Sequence, residues 1–233
     1  MLIFNELSIQ IKRSNRRTLG LSVNKCQVTA HAPLKLSEPK IKDFVEQKLD
    51  WIRNSIEKQK LHINHQNKTF KTGEIFVFLG MEYLLELQHL SAIPVEIKES
   101  ILSVYSGANA AMAENKVWLH RQVKHWYLKQ AEEYLLERSQ YFAQKMQLNY
   151  QSIKIQYYKS KWGSCSIQGN IHYNYLIILA PSWIVDYIVV HELSHLKHHN
   201  HSPKFWQLVG SFIPHYPECR KWLKDHGASL RID

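Results

Sequence analysis

Apolar and polar positions along the chain follow two different periods. LSIQI (7–11), LGLSV (19–23) and CQVTAH (26–31) place an apolar residue at every second position, which predicts half-buried strands around a polar, basic turn. From Ser37 the period lengthens: Ile41, Phe44, Val45, Leu49, Ile52 and Ile56 recur three and four residues apart. That spacing predicts a helix over 37–62, with Ser37 as its cap and the stripe packed into a core. HINHQNKTFKTG (62–73) is polar and reads as a surface connection. EIFVFLGMEYLLEL (74–87) holds two β-rich runs around Gly80, and strand-like texture continues to about residue 107.

Between Glu114 and Gln147 the pattern is helical again, with Val117, Leu119, Val123, Trp126, Tyr127, Ala131, Leu135, Phe142 and Met146 on one broad stripe, in one helix or two. IKIQYY (153–158) alternates. KSKWGSCSIQGNIHYNYLIILAP (159–181) then reads as a loop and a hairpin turning at Gln168–Gly169. Pro181 and Ser182 supply a stop and a cap before WIVDYIVVHELSHLKHHN (183–200), apolar enough for a largely buried helix. No internal repeat or low-complexity segment is visible. The expectation is an α+β protein: a β-rich N-terminal region, 1–110, with one long helix, and a helical C-terminal region, 111–233, with a short sheet.

Composition narrows the class. A hydrophobic fraction of 45% with 21% charged residues over 233 residues is that of a globular chain. No apolar run approaches the ~20 residues that cross a bilayer. The N-terminus has charge after its apolar residues and no small-residue cleavage site, unlike a signal peptide. Cys26, Cys165 and Cys219 are odd in number and form no CxxC pair, so a reducing cytoplasm is the expected compartment. The formal charge of +10 is uneven, with 13 Lys/Arg against 6 Asp/Glu in residues 1–70. Its densest patch, Lys12, Arg13, Arg16 and Arg17, is a candidate nucleic-acid contact; the plainer reading is a solvated hairpin tip, since no recognisable nucleic-acid module accompanies it.

The chemistry concentrates late in the chain. VVHELSHLKHHNHSPKFW (189–206) holds five histidines in eleven positions. His191 and His195, four apart, share a helix face and can reach one ion, while Glu192 lies about 100° around the axis, free to take a proton from a metal-activated water. The rival pair His195 and His199 has Leu196 where a carboxylate is needed. His198 sits on the His191 face but ~10 Å along the axis at ~1.5 Å per residue. For a third ligand His201 fits best, because Asn200 tolerates the left-handed backbone that ends helices and Ser202–Pro203 opens a new helix that stops at Pro214. His215 and Glu218 are weaker third ligands. Asp186, Glu218 and Asp225 are candidates to orient the histidines, and Tyr173, Tyr175, Tyr216 and His215 to steady an oxyanion.

KSKWGSCS (159–166), IVDYIVVHELSHL (184–196) and NHSPKFW (200–206), in this order, resemble the YgjP-like metallopeptidases, relatives of the SprT-like and WLM zinc proteases. RSNRRTLGLSV (13–23) and the stretch from Pro217 to Leu223 match the same outline, so the resemblance spans nearly the whole chain. It implies a zincin-like catalytic region holding one Zn²⁺ on His191, His195 and His201, with Glu192 as general base and a protein or peptide as substrate. The His spacing also equals that of metzincins, but His198 stands where their glycine would be. NYLII (174–178) stands where relatives often show an LNW-like strand.

Lys161, Trp162, Gly163 and Ser164 are candidates to border the substrate cleft, the glycine allowing a turn or a close approach; alternatively, the loop only buttresses the active-site helix. Two other functions keep parts of this picture. One is a zinc-dependent nucleotide phosphohydrolase, suggested by a label carried in the family and by the cationic surplus, though without a P-loop. The other is a zinc-stabilised, non-enzymatic module that binds nucleic acid.

Overall fold

The computed structural model describes residues 2–4, 7–24, 27–53, 55–56, 68–88, 94–106 and 115–232. It is a mixed α+β chain that divides into two compact units, Met1–Asn67 and Lys68–Asp233.

In the first unit the alternating runs form β1 (Leu2–Phe4), β2 (Leu7–Ser14), β3 (Gly20–Asn24) and β4 (Gln27–Pro33), in the spatial order β1-β2-β4-β3. The central pair β2–β4 is parallel and the outer pairs are antiparallel. Alternation gathers Ile9, Val28, Ala30 and Ala32 on one face, where Ile41, Val45, Ile52 and Ile56 cover them. The expected helix over 37–62 is interrupted. α1 spans Glu38–Glu46, a turn follows at 47–48, and helical backbone resumes over 49–53 and 55–56. Lys48 N–H bonds Val45 O, an i→i+3 closure that tightens the chain there. Residues 57–62 of that expectation lie outside the described residues. Ser37 occupies the N-cap position but makes no side-chain cap bond.

The second unit opens with the hairpin β5 (Ile75–Phe78) and β6 (Met81–Gln88). Its two-residue turn has positive φ at Leu79 and Gly80, which matches the strand twist. β7 (Val95–Lys98) and β8 (Ile101–Tyr105) complete a sheet of order β5-β6-β8-β7, with β6–β8 parallel and the outer pairs antiparallel. This is the strand order and direction pattern of the first sheet, a correspondence that the two sequences do not display. A single helix, α2 (Lys116–Met146), follows. Asn115 Oδ1 accepts from Trp118 N–H at its start, and Gln147 in the left-handed conformation ends it.

Phe76, Leu85, Leu102 and Val104 belong to the same buried cluster as Tyr127, Ile177 and Val189. Burial therefore joins the sheet of 75–105 to the helices after it, and the division falls after residue 67, whereas texture alone set it at 110. β9 (Ser152–Gln156), β10 (Gly163–Cys165) and β11 (Asn170–Asn174) form a small sheet of order β10-β11-β9, leaving β10 at an edge. After β11 the chain winds into a 3₁₀ helix, Tyr175–Leu179, whose residues are all buried; residues 174–178 are thus not a strand beyond Asn174, whose Oδ1 accepts from Leu176 N–H. α3 (Ser182–Ser194), α4 (Pro203–Phe212) and α5 (Tyr216–His226) finish the unit. Arg138 of α2 holds Asp186 of α3 with two bonds of 2.6 and 2.8 Å. Among the described residues no helix is long and apolar enough to cross a membrane.

Candidate metal centre

α3 is buried along most of its length, with Ile184, Val185, Val189, Val190 and Leu193 all fully inaccessible. Its last turn carries His191 and Glu192. The helix ends sooner than the apolar pattern suggests: Ser194 is its last residue, and His195 caps it. His195 N–H and Leu196 N–H bond Glu192 O and Leu193 O at 3.2 and 3.0 Å, i→i+3 closures that use up the terminal carbonyls. Asn200 is not in the left-handed conformation expected of it. The return toward α3 is made instead by the turn over 195–200. Ser202 then caps α4, accepting from Phe205 N–H, with Pro203 in its first turn.

This path brings three imidazoles together. One ring nitrogen each from His191, His195 and His201 lies within 4.8 Å of the other two. His191 Nε2 and His201 Nε2 are 3.1 Å apart. Ligand nitrogens on a tetrahedral ion with bonds of ~2.0–2.1 Å stand roughly 3.4 Å from one another, so the spacing suits a shared ion. His195 Nδ1 lies 3.1 Å from His198 O. A carbonyl can only accept, so Nδ1 carries the hydrogen and Nε2 presents its lone pair. His191 Nδ1 is 3.4 Å from the Tyr187 hydroxyl. These are the partners that orient the rings, a role expected of carboxylates; of the candidates, Asp186 is taken by Arg138. Tyr187 was findable, since it precedes His191 by four residues on the same helix face.

Burial above all, with the neighbouring imidazoles and Arg220 adding to it, pushes the His191 pKa down to about 3. Burial also lowers that of His195, against the opposing effect of the His198 carbonyl. Both rings are therefore neutral at pH 7, the form that ligates metal. His198 contributes its carbonyl and His199 is exposed; neither belongs to the nitrogen cluster. Phe205 closes the cluster from below, its ring 4.5–5.0 Å from all three imidazoles. Trp206 stacks on His201, Tyr216 stacks on Trp206, and the Arg220 guanidinium sits 4.5 Å over the Trp206 ring.

Glu192 is 4% exposed, and among the described residues its Oε2 has no hydrogen-bond partner. Burial raises its pKa to about 8, opposed by the charge of Lys161. An unpartnered buried carboxylate oxygen costs about 1–3 kcal/mol or more, a cost that persists where the atom serves a ligand or a reaction. Three imidazoles converging beside such a group are a donor set suited to a borderline divalent cation.

The reason for the glycine in KWGSC lies here. A Cβ on Gly163 would stand 2.4 Å from Glu192 Oε1, 2.6 Å from its Cγ and 2.7 Å from its Cδ. Only hydrogen fits, so the β10 backbone lies directly against the carboxylate. Lys161 Nζ donates to Ser164 Oγ at 2.8 Å and sits over the Tyr158 ring, and Trp162 packs on Gly227. Burial chiefly, and then Glu192, raises the Cys165 pKa to about 11, leaving it a thiol. Of the oxyanion candidates, Tyr173 is buried and accepts from Ser139, Tyr175 is buried, and His215 lies against Trp183; Tyr216 alone joins the aromatic shell of His201, through Trp206. In the first unit Arg13 is occupied, its guanidinium donating to the carbonyls of Pro33, Leu34 and Leu36. Arg16 reaches Thr18, while Lys12 and Arg17 are exposed.

A helix with one histidine and a buried glutamate in its last turn and a second histidine at its cap, to which a third returns, can hold a metal ion beside a carboxyl. The chain belongs to the YgjP-like family: the YgjP-like metallopeptidase domain matches residues 17–226. That membership supports a metallopeptidase role and a bound metal ion. Among solved structures, the metallopeptidase zymogen abylysin of Pyrococcus abyssi shares 22% identity over 39% of this chain and 93% of that one, with a TM-score of 0.36. At that score the assignment rests on the family match alone. No curated protein matches the chain.

Proposed function

We propose that the chain is a zinc-dependent peptidase whose chemistry resides in the unit Lys68–Asp233, with His191, His195 and His201 as ligands and Glu192 as the proton carrier. The observation that carries this reading is the convergence of three imidazoles beside a buried carboxyl whose Oε2 is unpartnered among the described residues. When bound, zinc supplies a Lewis acid that lowers the pKa of a water to about 7 and polarises the scissile carbonyl. Glu192, acting as the carboxylate, takes the proton of the attacking water and passes it to the departing amine. Tyr187 and the His198 carbonyl hold the imidazoles in orientation. Phe205 packs against all three imidazoles and Trp206 stacks on His201, limiting how far the rings can turn.

β10, at an edge of its sheet among the described residues and next to Lys161 and Trp162, offers the backbone of Gly163 and Ser164 to an extended peptide beside Glu192. Replacing Glu192 by Gln tests the assignment: the variant should keep one zinc per chain and lose peptide hydrolysis. Hydrolysis that survives in it at the wild-type rate would refute the role of Glu192. Nucleoside triphosphates, offered to the same two proteins, should release no pyrophosphate in a Glu192-dependent way.

A further inference from the structure

Beside the loop that leads into β10 lies a pocket of about 320 Å³. Lys159, Lys161 and Arg231 line it, and among the described residues no carboxylate does. All three cations are exposed, and among the described residues none forms an ion pair. The walls are built rather than loose. Asn174 Nδ2 donates to the carbonyls of Tyr158 and Lys161, and Asn174 N–H donates to Trp162 O, so three bonds from one residue pin the loop. The Trp162 indole closes against Gly227, where an added Cβ would stand 3.4 Å from it.

The pocket also has a fixed relation to the catalytic group. Its Lys161 and Trp162 directly precede Gly163, the residue that touches Glu192. Lys161 lies two residues before that contact, across a bend at Trp162, so at most about 7 Å of chain separates the pocket from the carboxylate. Resting on the reading of β10 as the substrate strand, we infer that this pocket is a recognition subsite for a carboxylate of the peptide being cut, an acidic side chain or the free C-terminus.

The volume sits at the small end of ligand pockets, enough for a side chain or a chain end. Three cations lining one pocket, with no carboxylate among its described lining residues, attract an anion, and the exposed rim makes that attraction sensitive to salt. The C-terminal segment supplies Arg231, so the pocket is shared between the β10 loop and the last residues of the unit.

The test separates recognition from hydrolysis by measuring binding to zinc-loaded Glu192→Gln protein, followed through tryptophan fluorescence. Three probes are used: an acetylated, amidated octapeptide with one Glu, its Gln counterpart, and the Gln peptide with a free C-terminus. A Glu peptide or a free-carboxylate peptide should bind at least about tenfold more tightly than the neutral one. Which of the two does so identifies the source of the carboxylate. The advantage should shrink at high salt and vanish in a protein that also carries Lys159→Gln and Arg231→Gln. Equal binding of all three peptides, or an advantage that survives the double substitution, would overturn the subsite. So would a single-stranded oligonucleotide that binds through Lys159 and Arg231 while the peptides do not. Because no turnover is required, an inactive wild-type enzyme would count against the peptidase reading alone.

Discussion

Gly163→Ala is the most informative single substitution the site offers. The added methyl would stand 2.4–2.7 Å from three atoms of Glu192, and Cγ is among them, so rotating the carboxylate alone cannot clear it. An ordinary contact is about 3.4 Å, so strand and side chain must separate by roughly 1 Å. Glu192 is 4% exposed and packed on its helix, which leaves little room for the retreat. Overpacking of this kind costs about 1–3 kcal/mol of stability. A misplacement of ~1 Å in the catalytic geometry costs on the order of 100-fold in rate.

The expected phenotype is therefore a kcat/KM for a peptide substrate lower by about two orders of magnitude, with zinc stoichiometry unchanged because no ligand is touched. Steady-state peptide hydrolysis and metal analysis on the same preparation measure both. Should the variant fold poorly, Glu192→Asp in the same chain withdraws the carboxylate by one methylene. It should then restore thermal stability without restoring activity. A Gly163→Ala enzyme within threefold of wild-type activity would show that the β10 backbone does not position the base.

Four further outcomes follow from the same geometry. His201→Ala should weaken zinc binding far more than His199→Ala, as read by competition with a chelator, because only His201 joins the nitrogen cluster; equal losses would displace His201 as ligand. Tyr187→Phe removes the hydroxyl 3.4 Å from His191 Nδ1 and should lower zinc affinity or activity by about 10–100-fold with the fold intact by circular dichroism. Chelating the metal should lower the melting temperature of wild-type protein but barely that of His191→Ala, since an ion that binds only the folded chain stabilises it. Asp186→Ala leaves Arg138 without its two-bond partner in a half-buried setting, and should cost about 1–3 kcal/mol in denaturant unfolding while zinc stoichiometry stays at one.

Much of this protein is legible from its sequence because the signals are local. A period of two marks β2, β3 and β4, a period near 3.6 marks α2, and Ser202–Pro203 marks the start of α4, since caps and amphipathic faces depend on neighbours a few residues away. The pairing of His191 with His195 and the offset of Glu192 belong to the same local geometry. Where local signals compete, the reading slips: the stripe of 37–62 ignores the turn at 47–48, and the apolar run of 183–200 hides the early end of α3 at Ser194.

Contacts between distant segments are another matter, because no period encodes them. Tertiary packing decided that the sheet of 75–105 shares a core with the C-terminal helices and that Arg13 is occupied by three carbonyls. It also decided that the His198 backbone, and not a carboxylate, orients His195. The same packing gives Gly163 its meaning. Sequence determined that a glycine stands at position 163, while only the folded chain, by laying the start of β10 against the buried Glu192 carboxylate, determined why no larger residue can stand there.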